Sequence, residues 1–261
     1  MLKTAFTTLA LAVALSTGTA HAGRSCEPRK HSVDSVRQSL ALAQNTVKSL
    51  DASGAQVALL GRQGQDLSKY GLEYSHMGWA YKSATGDWRV VHKLNDCGTA
   101  DSHVYRQGLG EFFLDDLWRY KAVVMVPTEA VQKKLLLALS SNQQALQLHD
   151  GRYSMVAYAW GQRYQQSNQW ALETLAGAME PQVIRSRQQA QAWLQLQGYQ
   201  PGDLRIGSLT RLGGRLTRAN IAFDDHPSEK RFAGHIETAT VDSALRFMQQ
   251  SQLGTAPFVV R

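Results

Sequence analysis

The sequence predicts an α+β fold, an antiparallel sheet with packed helices, and three observations lead there. Residues 75–82 and 88–94 are two short runs rich in aromatic and β-branched side chains, joined by Ser83-Ala84-Thr85-Gly86-Asp87, which is a hairpin signal. Val33, Val36, Leu40, Ala43, Val47 and Leu50 recur at threes and fours, and Ala171, Leu172, Leu175, Ala176 and Met179 trace a second apolar helix face. Strand-like and helix-like stretches alternate along the chain with no internal repeat and no linker, so 23–261 reads as a single α+β domain.

The first 22 residues read as a secretory signal peptide. Lys3 gives a positive start, 5–15 is apolar, and Ala20-His21-Ala22 fits the small-x-small cleavage pattern, so cleavage is expected after Ala22. That apolar run is too short to cross a bilayer, and no later run is longer, so no transmembrane segment is expected. The expected location is periplasmic or secreted. The two cysteines, Cys26 and Cys97, then meet an oxidising compartment, where a disulfide between them is the expectation and a catalytic thiol the alternative.

The formal net charge is +7, but the basic residues are scattered, with only a short Arg29-Lys30 cluster. Nucleic-acid binding calls for a basic stripe with interleaved aromatics, and none is present. A cationic exported protein is drawn instead to the anionic surfaces of the cell envelope.

In chain order, Ser32-Val33-Asp34 opens the first helix, and Asp51 to Gly54 closes it. A short strand at 56–60 and a polar loop lead into the hairpin. A five-residue loop sets Lys82 opposite Trp88 and His92 opposite Gly78, so His76 and His92 share one face; a four-residue loop sends them to opposite faces. Residues 96–110 read as a loop, 111–119 as a short helix or strand, 120–126 as a buried strand, and Thr128 as the cap of another helix. Residues 153–160 read as a strand running into the helix that begins near Ser167. Ser186-x-x-Gln189 is a capping box. Strands at 204–209 and 216–223 flank Gly213-Gly214, and a last helix covers 240–250.

Two stretches carry chemistry. Ser167 opens a helix, where unpaired backbone N–H groups and the positive dipole end favour a developing negative charge. A nucleophile there has the Ser167 and Asn168 amides as oxyanion donors; a plain N-cap at Ser167 or Asn168 explains the same residues. His76 and His92 are either an oriented base or ordinary sheet residues. A metal site from His76, His92, His103 and Asp96 lacks paired-ligand spacing, so no metal or other cofactor is expected.

Ser75-His76-Met77-Gly78, His92 and Ser167-Asn168-Gln169-Trp170 together resemble the circularly permuted papain-like fold of lecithin retinol acyltransferase-like and NlpC-type proteins. The chain at large also resembles an exported bacterial family, domain of unknown function 2145. The first resemblance implies Ser167 as nucleophile, His76 as general base and His92 as its orienting partner. Those enzymes carry Cys where this chain has Ser167, and a serine needs His76 to take its proton during attack. Two functions therefore stand: a hydrolase or acyltransferase acting on an envelope peptide or lipid, and a catalytically inactive module that binds such a ligand. Trp79, Tyr81, Trp160 and Trp170 are candidate walls for that ligand, or core.

Overall fold

The computed structural model describes residues 31–115 and 117–261. The signal-peptide expectation and Cys26 lie outside the described residues. In chain order the elements are α1 (Val33–Ala52), β1 (Val57–Gln63), β2 (His76–Lys82), β3 (Trp88–Asn95), β4 (Ser102–Gly108), α2 (Leu109–Phe113) and β5 (Arg119–Met125). There follow α3 (Glu129–Ser140), α4 (Asn142–Leu146), α5 (Ser167–Met179), α6 (Arg187–Leu196), β6 (Gly202–Arg205), α7 (Ser208–Thr217), α8 (Ser228–Phe232), β7 (His235–Thr238), α9 (Val241–Gln250) and β8 (Phe258–Val260).

The chain folds as α+β around a six-stranded sheet in the order β4-β3-β2-β1-β5-β8. Every neighbouring pair in it is antiparallel. β1 and β2 lie in the middle and are covered on both faces, which is why Val57-Ala58-Leu59-Leu60 is apolar without alternation. One face carries Leu59, Met77, Trp79, Val91 and Met125 against α3, α5 and α9. The opposite face carries Leu60, Ala80, Val90 and Val124 against α1 and α2. β6 and β7 form a separate two-stranded sheet, around which Val156, Leu204, Ile206, Phe223 and Ile236 make a small third cluster.

The hairpin follows the five-residue-loop register: Lys82 pairs with Trp88, and Trp79 with Val91. A Cβ on Gly78 would lie 2.8 Å from the His92 Cβ, so glycine is what lets the two strands close at that point. The first helix, the buried strand at β5, the Ser186–Gln189 capping box and the last helix form as expected.

Three local expectations are corrected. Residues 102–108, read as loop, are an edge strand. Residues 153–160 are irregular, because their backbone bonds go to separate partners: Tyr153 N–H to Ala100 O, Met155 N–H to Asn220 O, and Ala159 N–H to Glu237 O. Of the strands expected at 204–209 and 216–223, the first overlaps β6 only at Leu204 and Arg205, 208–217 is the single helix α7, and the stretch beyond it is irregular. In α7 Leu209, Leu212 and Leu216 are spaced by three and four, and that period outweighs the turn signal of the glycines.

Candidate functional site

The first turn of α5 sits against the start of β2, and Asn168 is the tie. Its side-chain oxygen accepts the Met77 N–H at 3.0 Å. Its amide nitrogen donates to Ala239 O at 3.4 Å and Ser75 O at 3.5 Å. Ser167 is thereby fixed beside the strand that carries His76.

His76 and His92 are brought together. His76 Nε2 lies 2.9 Å from His92 Nδ1, and His92 Nε2 lies 2.7 Å from Gln107 Oε1. With the Gln107 carbonyl accepting, His92 carries its proton on Nε2 and its Nδ1 accepts the His76 Nε2–H. His76 Nδ1 is then the bare ring nitrogen, and among the described residues it has no hydrogen-bond partner. Burial, reinforced by the positive charge of Arg62, holds His76 well below the usual imidazole range. The same two causes bring His92 down to about 4, against the opposing pull of its bond to Gln107. Both rings are therefore neutral at pH 7.

The pair lies on the α1/α2 side of the sheet. Phe112 stacks edge-on to His92 at 5.1 Å and tilted to His76 at 6.0 Å. Arg62, paired with His76 across β1 and β2, lies over the Phe112 ring at 4.5 Å and bonds Phe112 O and Asp115. α5 packs on the other face. Ser167 and His76 nevertheless line one cavity, of about 700 Å³, that wraps the end of the sheet. No hydrogen bond joins Ser167 to His76 among the described residues; burial raises the phenol of Tyr153, and the nearby Ser167 hydroxyl pulls it back.

Two of the three first-turn amides of α5 are spoken for. The N-cap is Gln166, not Ser167 or Asn168. Its side-chain oxygen accepts the Asn168 N–H at 2.9 Å, and a capping box with Gln169 engages the third amide of the turn. Of the two oxyanion donors expected, Asn168 N–H is occupied, and Ser167 N–H is not part of the cap.

The cavity has a polar floor of Ser75, His76, Gln166, Ser167 and Asn168 and an apolar wall of Val156, Leu204, Ile206, Ile221 and Phe223. Cys97 lies at its margin. The four aromatics expected as walls lie elsewhere. Trp79 and Trp170 are fully buried in the core. Their indole N–H groups donate to Ala171 O at 2.9 Å and Ala145 O at 3.3 Å. Tyr81 holds Arg106, with the guanidinium over its ring at 5.1 Å, and Trp160 packs edge-on to Tyr199 at 5.7 Å. Trp79, Trp170 and Tyr81 are large apolar bodies whose polar tips are satisfied by local partners.

A family model described as "Uncharacterized protein conserved in bacteria (DUF2145)" matches residues 49–248. The chain belongs to this family. The matched span runs from the end of α1 into α9, so it contains His76, His92, Gln107, Ser167 and the cavity between them. No curated protein and no solved structure matches the chain.

Sequence reasoning overlooked one cluster. Glu173 of α5 is completely buried and accepts from Arg187 Nε at 3.0 Å, from Gln191 Nε2 at 2.7 Å and from Gln165. Lys93, also fully buried, donates to Gln165 Oε1 at 2.7 Å and Asp150 O at 2.6 Å. Burial, with the Arg187 charge adding to it, lowers the Lys93 ammonium to about 7, and burial raises Glu173 against the pull of Arg187. No signal reveals this group, since its members come from five separated segments. No three His, Cys, Asp or Glu side chains gather as a metal site among the described residues.

Proposed function

We propose that this chain is an exported binding module of the cell envelope, built on a circularly permuted papain-like scaffold. Its cavity takes an amphiphilic ligand, an acyl chain or an apolar peptide segment, and Ser167 serves as floor and not as nucleophile. The observation that carries the reading is the cavity itself: about 700 Å³, apolar along the Leu204–Ile206–Phe223 wall and polar at the α5 terminus. That volume and mixed lining suit a ligand with an apolar body and a polar end. The capped Asn168 amide favours binding over acyl transfer, because a tetrahedral oxyanion needs donors that are free to receive it, and no hydrogen bond joins the Ser167 hydroxyl to His76 among the described residues. Export after Ala22 and a Cys26–Cys97 bridge belong to the same proposal, and the intact mass of the envelope form, with and without reduction, tests both.

A second reading has its own observation in support. His76 Nδ1 is bare, its Nε2 is held by His92, and the ring shares the cavity with Ser167. In a hydrolase or acyltransferase, Nδ1 would take the Ser167 proton as the oxygen attacked an ester or amide carbonyl, then return it to the leaving group.

Titration with an environment-sensitive fluorescent fatty acid tests the binding proposal. Saturable binding is expected, weakened about tenfold or more by Ile221→Trp, which fills the wall from a half-buried position, with little change in Tm. Absence of saturable binding for both the acyl probe and apolar peptides would remove the proposal.

A further inference from the structure

α7 is turned inside out for a helix of a globular protein. An amphipathic helix normally presents its apolar stripe to the core. Here Leu209, Leu212 and Leu216, which share one face by their spacing, are 86%, 55% and 67% exposed. Thr210, Gly214 and Thr217, on the opposite face, line the cavity. One side chain of the helix, Arg211, is buried, where its guanidinium bonds Ile206 O at 2.6 Å. A Cβ on Gly213 would touch nothing, so packing does not demand the glycine there. Two adjacent glycines cost a helix about 2 kcal/mol together relative to alanine, so α7 gains little from its own sequence or from its inner face.

Of the four arginines between Leu204 and Phe223, Arg205 pairs with Asp203 at 3.5 Å and Arg211 is buried, while Arg215 and Arg218 are exposed, and no acidic residue falls within that stretch. A further exposed aromatic, Phe232 at 73%, ends α8 two residues before Gly234, whose carbonyl accepts the Ile206 N–H at 2.9 Å as the chain enters α7. An outward leucine stripe flanked by arginines is the pattern of a helix lying in a lipid–water interface, with leucines among the acyl chains and guanidiniums at the headgroups.

We infer that α7 is an interfacial anchor: its Leu209–Leu212–Leu216 face docks this protein onto an anionic bilayer surface, with Arg215 and Arg218 at the headgroups. The partner is a lipid surface and not another protein, because the face combines insertion-sized apolar side chains with the exposed Arg215 and Arg218, and α7 itself carries no acidic residue. Since the other face of α7 lines the cavity, docking brings the cavity wall next to the membrane. The inference rests on the outward face of α7 alone. Vesicle binding without uptake of an acyl probe would retain it and remove only the ligand proposal.

The test is co-flotation of the mature protein with phosphatidylcholine vesicles, with and without phosphatidylglycerol. Binding is expected to the anionic vesicles and to weaken as salt rises. Leu212→Ser and Leu216→Ser should each lower the partition coefficient about tenfold. Arg215→Gln and Arg218→Gln should each lower it about fivefold on anionic vesicles and leave neutral vesicles unchanged. A Leu212→Trp variant should show a blue-shifted emission on binding. All four replaced side chains are exposed, so an unchanged Tm is expected throughout. Failure to float with anionic vesicles would overturn the inference, as would flotation indifferent to the leucine changes. A dimer at micromolar concentration that Leu212→Ser dissociates would overturn it too, by assigning the face to a second copy.

Discussion

Two neighbours on β3, His92 and Lys93, project to opposite faces of the sheet, and each anchors a polar group. On the Lys93 side every member is closed: Lys93, Gln165, Glu173, Arg187 and Gln191 satisfy one another among buried side chains. On the His92 side the chain of bonds runs Gln107–His92–His76 and ends on an unpartnered ring nitrogen. A closed buried network holds elements in place and has nothing left to offer a ligand. An open-ended one beside a cavity keeps a polar atom in reserve. The difference separates structure from function more sharply than residue type does, since the closed group contains Lys, Glu and Arg, the very residues usually suspected of chemistry.

The largest effect that can break this comparison is on the closed side. Glu173→Ala removes the completely buried partner of Arg187, leaves it only Asp150 at 3.5 Å, and takes one of two acids from the surroundings of Lys93, so urea denaturation should show a loss of about 3 kcal/mol, order of magnitude. A loss below about 1 kcal/mol would mean that the network is not structural.

The two sides should also act in different pH windows. For His92 the folded pKa, about 4, lies below the unfolded value near 6.5. Between those values the unfolded chain binds more protons, so this stability is whole above pH 6.5 and is lost as pH falls to 4, on the order of 3 kcal/mol in all. For Lys93 the folded value is about 7, below the ordinary lysine value, so its contribution grows as pH rises from 7 towards 10. Urea midpoints across pH should show both slopes, with His92→Gln making the acidic one shallower, since His76 and His149 are also held low by burial, and leaving the alkaline one. An unchanged acidic slope would contradict the account. The smallest effect is Gln107→Leu, which removes the outer hydrogen bond of the open chain and should cost about 1 kcal/mol. It should also redistribute the His92 tautomers in a 15N NMR spectrum, and a spectrum unchanged by it would leave the proton assignment without support.

Much of the frame was legible because periodicity is local. The hairpin was legible, but its sequence allows two loop lengths and so two registers, and the pairing of Lys82 with Trp88 is what puts His76 and His92 on a shared face. α1, α5, α6 and α9 announced themselves by apolar spacing. The failures have physical causes. Ser102 to Gly108 is a polar edge strand, so it lacks the apolar alternation of a covered one. Gly213-Gly214 imitates a turn although it lies within a helix. Gln166 is an unusual N-cap residue, so Ser167 drew the attention that belonged one position earlier. The Glu173 network draws on residues 93 to 191, a separation that no spacing rule spans.

The central claim is that Ser167 is floor and not nucleophile, and covalent trapping tests it most directly. The native protein is incubated with a fluorophosphonate and its intact mass is measured. With the Asn168 amide capped and no hydrogen bond from the Ser167 hydroxyl to His76 among the described residues, no adduct should form at Ser167. An adduct at Ser167 that disappears in His76→Ala, with Tm unchanged, would contradict the account and establish the serine–histidine enzyme in its place.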